Sequence, residues 1–127
     1  MKVLVIEDEL PLLRLIEQYL THYCDCEVTS AEDGREGLGL FNKAPNNYEL
    51  VITDIKLPKL DGLSLVKQIR DVNNTPIICI TGHSELGAEA KDSDLNVLSV
   101  LIKPFELKEL HCLISNIMMD KKSHDTP

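Results

Sequence analysis

The stretch Leu50–Gly62, LVITDIKLPKLDG, decides how the rest of the chain is read. Leu50, Val51 and Ile52 are apolar, and Val51, Ile52 and Thr53 are β-branched, which suits a strand. An unbroken apolar run, rather than an alternating one, is the pattern of a strand covered on both faces, as in a parallel sheet. The run stops at a carboxylate, Asp54, and a loop with Pro58 and the Asp61-Gly62 pair follows. A hydrophobic strand that delivers one acid to its C-terminal end asks what else lies at that edge.

Similar strands recur on either side. Lys2–Glu7 (KVLVIE), Cys26–Ala31 (CEVTSA), Tyr48–Asp54 (YELVITD), Thr75–Thr81 (TPIICIT) and Val97–Lys103 (VLSVLIK) read as five strands. Between them lie stretches with helical apolar spacing. These are Leu10–Tyr23, Ala31–Lys43, Leu60–Arg70, Ser84–Leu95 with a weak apolar face, and Phe105–Met119. Gly34, Gly37 and Gly39 weaken the second helix, each lowering propensity by roughly 0.8–1 kcal/mol relative to Ala, so that helix is either mobile or closely packed. Asp120–Pro127 has no periodicity and reads as a flexible tail or the start of a linker. Strands alternating with helices imply an α/β fold: a doubly wound five-stranded parallel sheet with right-handed crossovers. In such sheets ligands bind at the carboxyl ends of the strands, beside the topological switch point.

The chain is 127 residues long, which suits one domain spanning residues 1–119 before the tail. Aromatics are 4% of the chain, so its core is aliphatic. The net charge of −8 lacks the basic excess that displaces counterions from phosphates, which argues against direct nucleic-acid binding. The first apolar run, Val3–Ile6, is too short for a signal peptide or a membrane span. Cys24, Cys26, Cys79 and Cys112 match neither a redox pair nor a zinc framework. A reduced, cytoplasmic setting is the expectation.

The strand ends carry the chemistry. The first ends in Glu7 and Asp8, followed by Glu9; the third ends in Asp54, the fourth in Thr81 and the fifth in Lys103. Clustered carboxylates repel one another, and a hard divalent cation relieves the conflict. Mg²⁺ suits carboxylate oxygens completed by water and phosphate, with Mn²⁺ as the alternative. Lys103 and Thr81 add a charge and a hydroxyl for anionic oxygens. Phosphoryl transfer demands mainly positioning and charge neutralisation, and a carboxylate such as Asp54 can serve as the nucleophile. Glu9 reads as a solvated acid. Taken singly, each of these residues has an ordinary role: helix cap, turn, strand residue or strand exit. Their combination and order carry the argument.

Through VLVIEDE, LVITDIKLPKLDG, IICITG and LIKPF, the chain from about Lys2 to Met119 resembles the receiver domain of two-component response regulators. The resemblance implies a flavodoxin-like, CheY-like sheet in the order 2-1-3-4-5. It implies that Asp54 is the phosphoacceptor. Asp8 then binds Mg²⁺ directly, Glu7 acts on it largely through water, and the backbone carbonyl of Lys56 completes the protein's share. Thr81 and Lys103 hold the phosphoryl oxygens. Pro58, Asp61 and Gly62 shape the loop, and Pro104 follows a cis peptide bond. Lys56 and His83 flank the pocket at positions that tune phosphate lifetime in the family; each otherwise reads as a solvated loop residue, and the position and charge of Lys56 suit a shield against water. The implied partners are a sensor histidine kinase or phosphotransfer protein, together with an output partner or an effector domain outside this chain. The protein would be a signalling switch that catalyses only its own phosphorylation and dephosphorylation. It departs from the pattern at Glu7-Asp8, usually Asp-Asp. It departs again at Val100, usually Tyr or Phe at the switch position, and at DLNVLSV, where Gly-Ala commonly precedes the fifth strand.

Other features point elsewhere only weakly. His22, Cys24 and Cys26 lack a fourth ligand for a soft metal. Cys79 reads as core, Cys112 as buried or interfacial, and His111 and His124 as surface or tail. A phosphorylation-independent interaction module is a second reading, prompted by Val100. Enzymes of related fold fit worse. EDELP after the first strand repels phosphate where a flavin site needs a phosphate cradle, and the Asp-x-Asp of haloacid-dehalogenase-type phosphatases is missing.

Overall fold

A computed structural model describes residues 1–125, with side-chain surroundings through Met119. It contains β1 (Lys2–Ile6), α1 (Leu10–Tyr23), β2 (Glu27–Ala31), α2 (Gly34–Lys43), β3 (Leu50–Asp54), α3 (Gly62–Val72), β4 (Ile77–Thr81), α4 (Ser84–Asp92), β5 (Ser99–Ile102) and α5 (Leu107–Asp125). The strands form one parallel sheet in the order β2-β1-β3-β4-β5. The chain therefore winds one way from β1 to β2 and the other way from β3 onward, which places the switch point between β1 and β3.

Alternation along the central strands feeds two cores. Val3, Val5, Leu50 and Ile52 face α1 and α5, meeting Leu13, Ile16, Leu20, Leu110 and Ile114. Leu4, Ile6, Val51 and Cys79 face the other helices, meeting Phe41, Leu65, Ile69 and Ala90. Both faces of β3 and β4 are buried, which is why their sequences read as unbroken apolar runs.

Element ends follow local hydrogen bonding. Asp33 accepts from Glu36 N–H at 2.8 Å, so α2 starts at Gly34 rather than near Ala31. Asp61 accepts from Ser64 N–H at 3.0 Å, so α3 starts at Gly62 rather than Leu60. Cys26 N–H turns back to the Leu20 carbonyl at 3.0 Å, which delays β2 to Glu27. The α4 helix ends at Asp92, short of Leu95. Ser93 Oγ closes on the Ala90 carbonyl at 2.6 Å, and Asn96 turns the chain with φ 54°. Arg70 pins this turn through the carbonyls of Leu95 (2.6 Å), Thr75 (2.8 Å) and Asn96 (3.2 Å). Glu106 N–H bonds to the Glu109 carboxylate at 3.1 Å, so α5 opens at Leu107 rather than Phe105. It runs to Asp125, taking up most of the stretch expected as a tail; residues 126 and 127 lie outside the described residues.

The second helix is closely packed. A Cβ on Gly34 would strike the Leu60 carbonyl, and one on Gly37 would strike the Ile6 side chain, whereas Gly39 faces open space. Cys112 is exposed rather than buried, and burial pushes the Cys79 thiol up to about 12. His111 is half-buried, with its Nδ1 2.8 Å from the Tyr19 hydroxyl, so it joins α5 to α1 rather than facing only solvent.

Gly62 locks the loop after β3. Its N–H bonds to the Ile55 carbonyl at 2.6 Å, and a Cβ there would run into the Asp54 carbonyl. Gly62→Ala is expected to destabilise the protein by about 1–3 kcal/mol, the range for overpacking, read as a lower urea midpoint, whereas Gly39→Ala leaves the midpoint unchanged or raises it.

Candidate functional site

Three carboxylates and one lysine meet at the carboxyl ends of β1, β3 and β5. Asp54, the last residue of β3, is 5% exposed. Its Oδ1 accepts from Lys56 N–H at 3.0 Å, and its Oδ2 lies 2.7 Å from Lys103 Nζ. Glu7 follows β1 and is fully buried. Its Oε2 accepts from Glu9 N–H at 3.1 Å. Its Oε1 lies 2.9 Å from Lys103 Nζ but makes no well-aligned hydrogen bond. Glu9 Oε1 is 3.0 Å from the same ammonium. Lys103 reaches all three because its N–H bonds to the Thr81 carbonyl at 2.8 Å, continuing the β4–β5 ladder one step past β5.

Thr81 closes β4, fully buried, with its Oγ1 accepting from His83 N–H at 3.0 Å. That leaves the hydroxyl proton to donate elsewhere. The cleft between these groups encloses about 480 Å³ and is lined by Asp8, Glu9, Asp54, Lys56, His83 and Lys103 among others. Lys56 and His83 are exposed at its rim, and Asp8 projects into it from an exposed position. The Lys103-Pro104 peptide bond is cis.

The electrostatics follow from burial. Desolvation raises the Glu7 pKa from its ordinary value of 4.5 to about 7, outweighing the pull of the Lys103 ammonium and the hydrogen bond from Glu9 N–H. Burial alone would lower the Lys103 pKa, but the Asp54, Glu7 and Glu9 carboxylates around the ammonium together hold it above the ordinary value. Among the described residues, Glu7, Glu9 and Asp54 place carboxylate oxygens within 4.8 Å of one another. A buried carboxylate oxygen without an aligned donor, in an all-oxygen acidic set, is the donor chemistry that fits a hard divalent cation.

The strand-end pattern expects Glu7, Asp54, Thr81 and Lys103 at one edge, and the structure brings them there. Glu9 was read as solvated. It is exposed, yet it belongs to the cluster through Lys103. Its signal was its place next to a strand end facing a lysine, and solvent exposure hid it. Asp8 stands beside the cluster rather than among the three acids whose oxygens converge. Val100 lies half-buried against the α4 side of the core. Gly87 of α4 sits directly over it: a Cβ there would lie 3.1 Å from Val100 Cγ1 and 3.4 Å from Thr81 Cγ2.

The comparisons fit this geometry. Residues 3–115 match the family model described as the response regulator receiver domain. The chain is 35% identical over 124 residues to the response regulator ArlR of Staphylococcus haemolyticus, covering 97% of this chain and 55% of that protein. It is also 35% identical to a probable transcriptional regulator, ycf27, of Porphyridium aerugineum, covering 96% of this chain and 50% of that one. The chain thus spans about half the length of the curated relatives it matches. A solved receiver domain from Clostridium thermocellum superimposes with a TM-score of 0.83 at 33% identity, covering 95% of this chain and 96% of the other.

With a folded-state pKa of about 7 against an ordinary 4.5, Glu7 binds its proton more tightly in the folded chain than in the unfolded one. Its contribution to stability is therefore full below pH 4.5 and is lost as pH rises towards 7. In chelator, Glu7→Gln is expected to stabilise the protein by about 1–3 kcal/mol at pH 8 and by less at pH 5, measured by urea unfolding. Mg²⁺ is expected to raise the melting temperature of the unsubstituted protein, and the same variant to lose most of that rise.

Proposed function

The chain belongs to the response regulator receiver domain family, and on that basis we propose that Asp54 accepts a phosphoryl group in a reaction that depends on a divalent cation. The observation that carries this reading is the convergence of Asp54 Oδ2, Glu7 Oε1 and Glu9 Oε1 on the Lys103 ammonium at 2.7, 2.9 and 3.0 Å, at the mouth of an open cleft. A carboxylate oxygen of Asp54 attacks the donor phosphorus. The bond from phosphorus to the donor breaks, and the leaving group departs with its electron pair. The donor is a phosphohistidine on a sensor kinase or phosphotransfer protein.

Glu7, Asp8 and Asp54, with the Lys56 backbone carbonyl, hold the cation; Mg²⁺ suits them best and Mn²⁺ is the alternative. When bound, the cation supplies charge neutralisation for the transferred phosphoryl oxygens. The residues of the chain do the rest. Lys103 donates to a phosphoryl oxygen from a site it already occupies. Thr81 turns its free hydroxyl proton to another oxygen. Lys56 N–H, 3.0 Å from Asp54 Oδ1, fixes the carboxylate's orientation. The protein acts on no external substrate in this reading: it carries the signal through protein contacts in a cytoplasmic setting, either to an output partner or through an effector domain. Among the described residues no helix is long and apolar enough to cross a membrane.

The test is peptide mapping by mass spectrometry after incubation with acetyl phosphate and Mg²⁺. A phosphoryl adduct on the peptide containing Asp54, absent in chelator and in Asp54→Asn, is the expected result. No adduct at Asp54 would favour a phosphorylation-independent interaction module, the reading that Val100 prompts.

Lys56 side-chain exposure at the rim supports its role as a shield over the acyl phosphate. Lys56→Ala is expected to shorten the half-life of phosphorylated Asp54 severalfold, followed by loss of acid-labile phosphate with time. An unchanged half-life would leave Lys56 a solvated lysine.

A further inference from the structure

Lys103 has three ammonium protons; it bonds to Glu9 and Asp54, and the buried Glu7 Oε1 lies 2.9 Å away without an aligned bond. A phosphoryl oxygen that approaches this lysine competes with the carboxylates already gathered around it. The acceptors are unequal. The Glu7 side chain is 1% exposed, so losing the ammonium would strand a buried charge. Asp54, 6% exposed, carries the phosphoryl group itself in the reading above. The Glu9 side chain is 63% exposed, and water replaces its partner at little cost.

We propose that Glu9 is a positioning residue that holds Lys103 at the mouth of the cleft before phosphorylation and yields it to the phosphoryl group. Glu9 therefore competes with the phosphoryl oxygens for one ammonium proton and sets how tightly the phosphorylated state is held. The proposal rests on Asp54 being the phosphoacceptor. The backbone supports the role. Glu9 N–H is fixed by Glu7 Oε2 at 3.1 Å, and its carbonyl accepts from Leu13 N–H at 2.9 Å as α1 begins. The main chain is thus anchored at both groups, and the release of Lys103 needs only a side-chain rotation. Glu9 and Lys103 also line the neighbouring notch together with Leu12, Pro104 and Phe105.

The experiment compares the full chain, Glu9→Gln, Lys103→Met and the double variant for affinity towards beryllofluoride, a phosphoryl mimic, at saturating Mg²⁺. Glutamine keeps the size of the side chain and removes the competing charge. Glu9→Gln is expected to tighten mimic binding about two- to fivefold, as suits an exposed ion pair, and to have no effect in the Lys103→Met background. Equal tightening in both backgrounds would overturn the proposal, since Glu9 would then act on the anion directly. Unchanged mimic binding on Glu9→Gln would overturn it too, leaving the phosphoacceptor reading intact. If the unsubstituted chain binds no mimic, both fall. A second readout needs no phosphoryl chemistry. In cation-free protein, Glu9→Gln is expected to shift the Lys103 ammonium NMR resonance and speed its proton exchange, and an unmoved resonance would overturn the contact itself.

Discussion

One ammonium group holds the site together. Glu7 and Asp54 are buried at adjacent strand ends, and among the described residues Lys103 is the one cation paired with both. Lys103 sits among them and Glu9 as the compensating charge. Such an arrangement is poorly balanced as a purely structural device, because buried charges lose hydration that a single lysine does not fully replace. The raised pKa of Glu7 and its misaligned Oε1 record that shortfall. The imbalance gives a cation or a phosphoryl group something to gain on binding, and it makes the site more than a turn between elements.

The sheet makes the arrangement unavoidable. Parallel strands end at the same edge, so residues distant in sequence, Glu7, Asp54, Thr81 and Lys103, are brought to one place by register alone. The order β2-β1-β3-β4-β5 puts β1 beside β3, which sets Glu7 against Asp54, and β4 beside β5, which sets Thr81 against the strand that leads to Lys103. The two aliphatic cores then fix the strands from both faces. The rigidity of Asp54 is thus a consequence of Val51, Ile52 and their neighbours, and the loop after it is held by Gly62.

The strands and the acids at their ends were legible because each depends on a pattern that survives in one dimension, whereas the strand order followed only from the family resemblance. Unbroken apolar runs mark doubly covered strands, and the polar residue that ends each run marks the site. Element boundaries were less legible. The ends of α2, α3 and α4 depend on single side chains closing on backbone groups, at Asp33, Asp61 and Ser93, within stretches whose composition suits helix and turn alike. Arg70 was not legible at all. Its partners are carbonyls of the α3–β4 and α4–β5 turns, and no carboxylate in the sequence advertises them. Glu9 was misread because exposure and ion pairing are compatible at a cleft mouth. The stretch beyond Met119 lacks apolar periodicity, yet the helix continues through it to Asp125 by extension of its backbone ladder.

The route outward from the site takes its own form here. Where the family usually carries an aromatic side chain, Val100 leaves less bulk, and α4 settles onto it through Gly87, which also abuts the Thr81 methyl. Thr81 therefore touches the site with its hydroxyl and borders α4 with its methyl. In the proposed function this edge of the sheet responds as a single pocket. Its most direct test is an amide NMR comparison of the cation-free chain with the chain bound to Mg²⁺ and a phosphoryl mimic. Shifts are expected at Glu7, Asp54, Lys56, Thr81 and Lys103, extending through Gly87 and Val100. A spectrum that stays unchanged at Asp54 and Thr81 would contradict it.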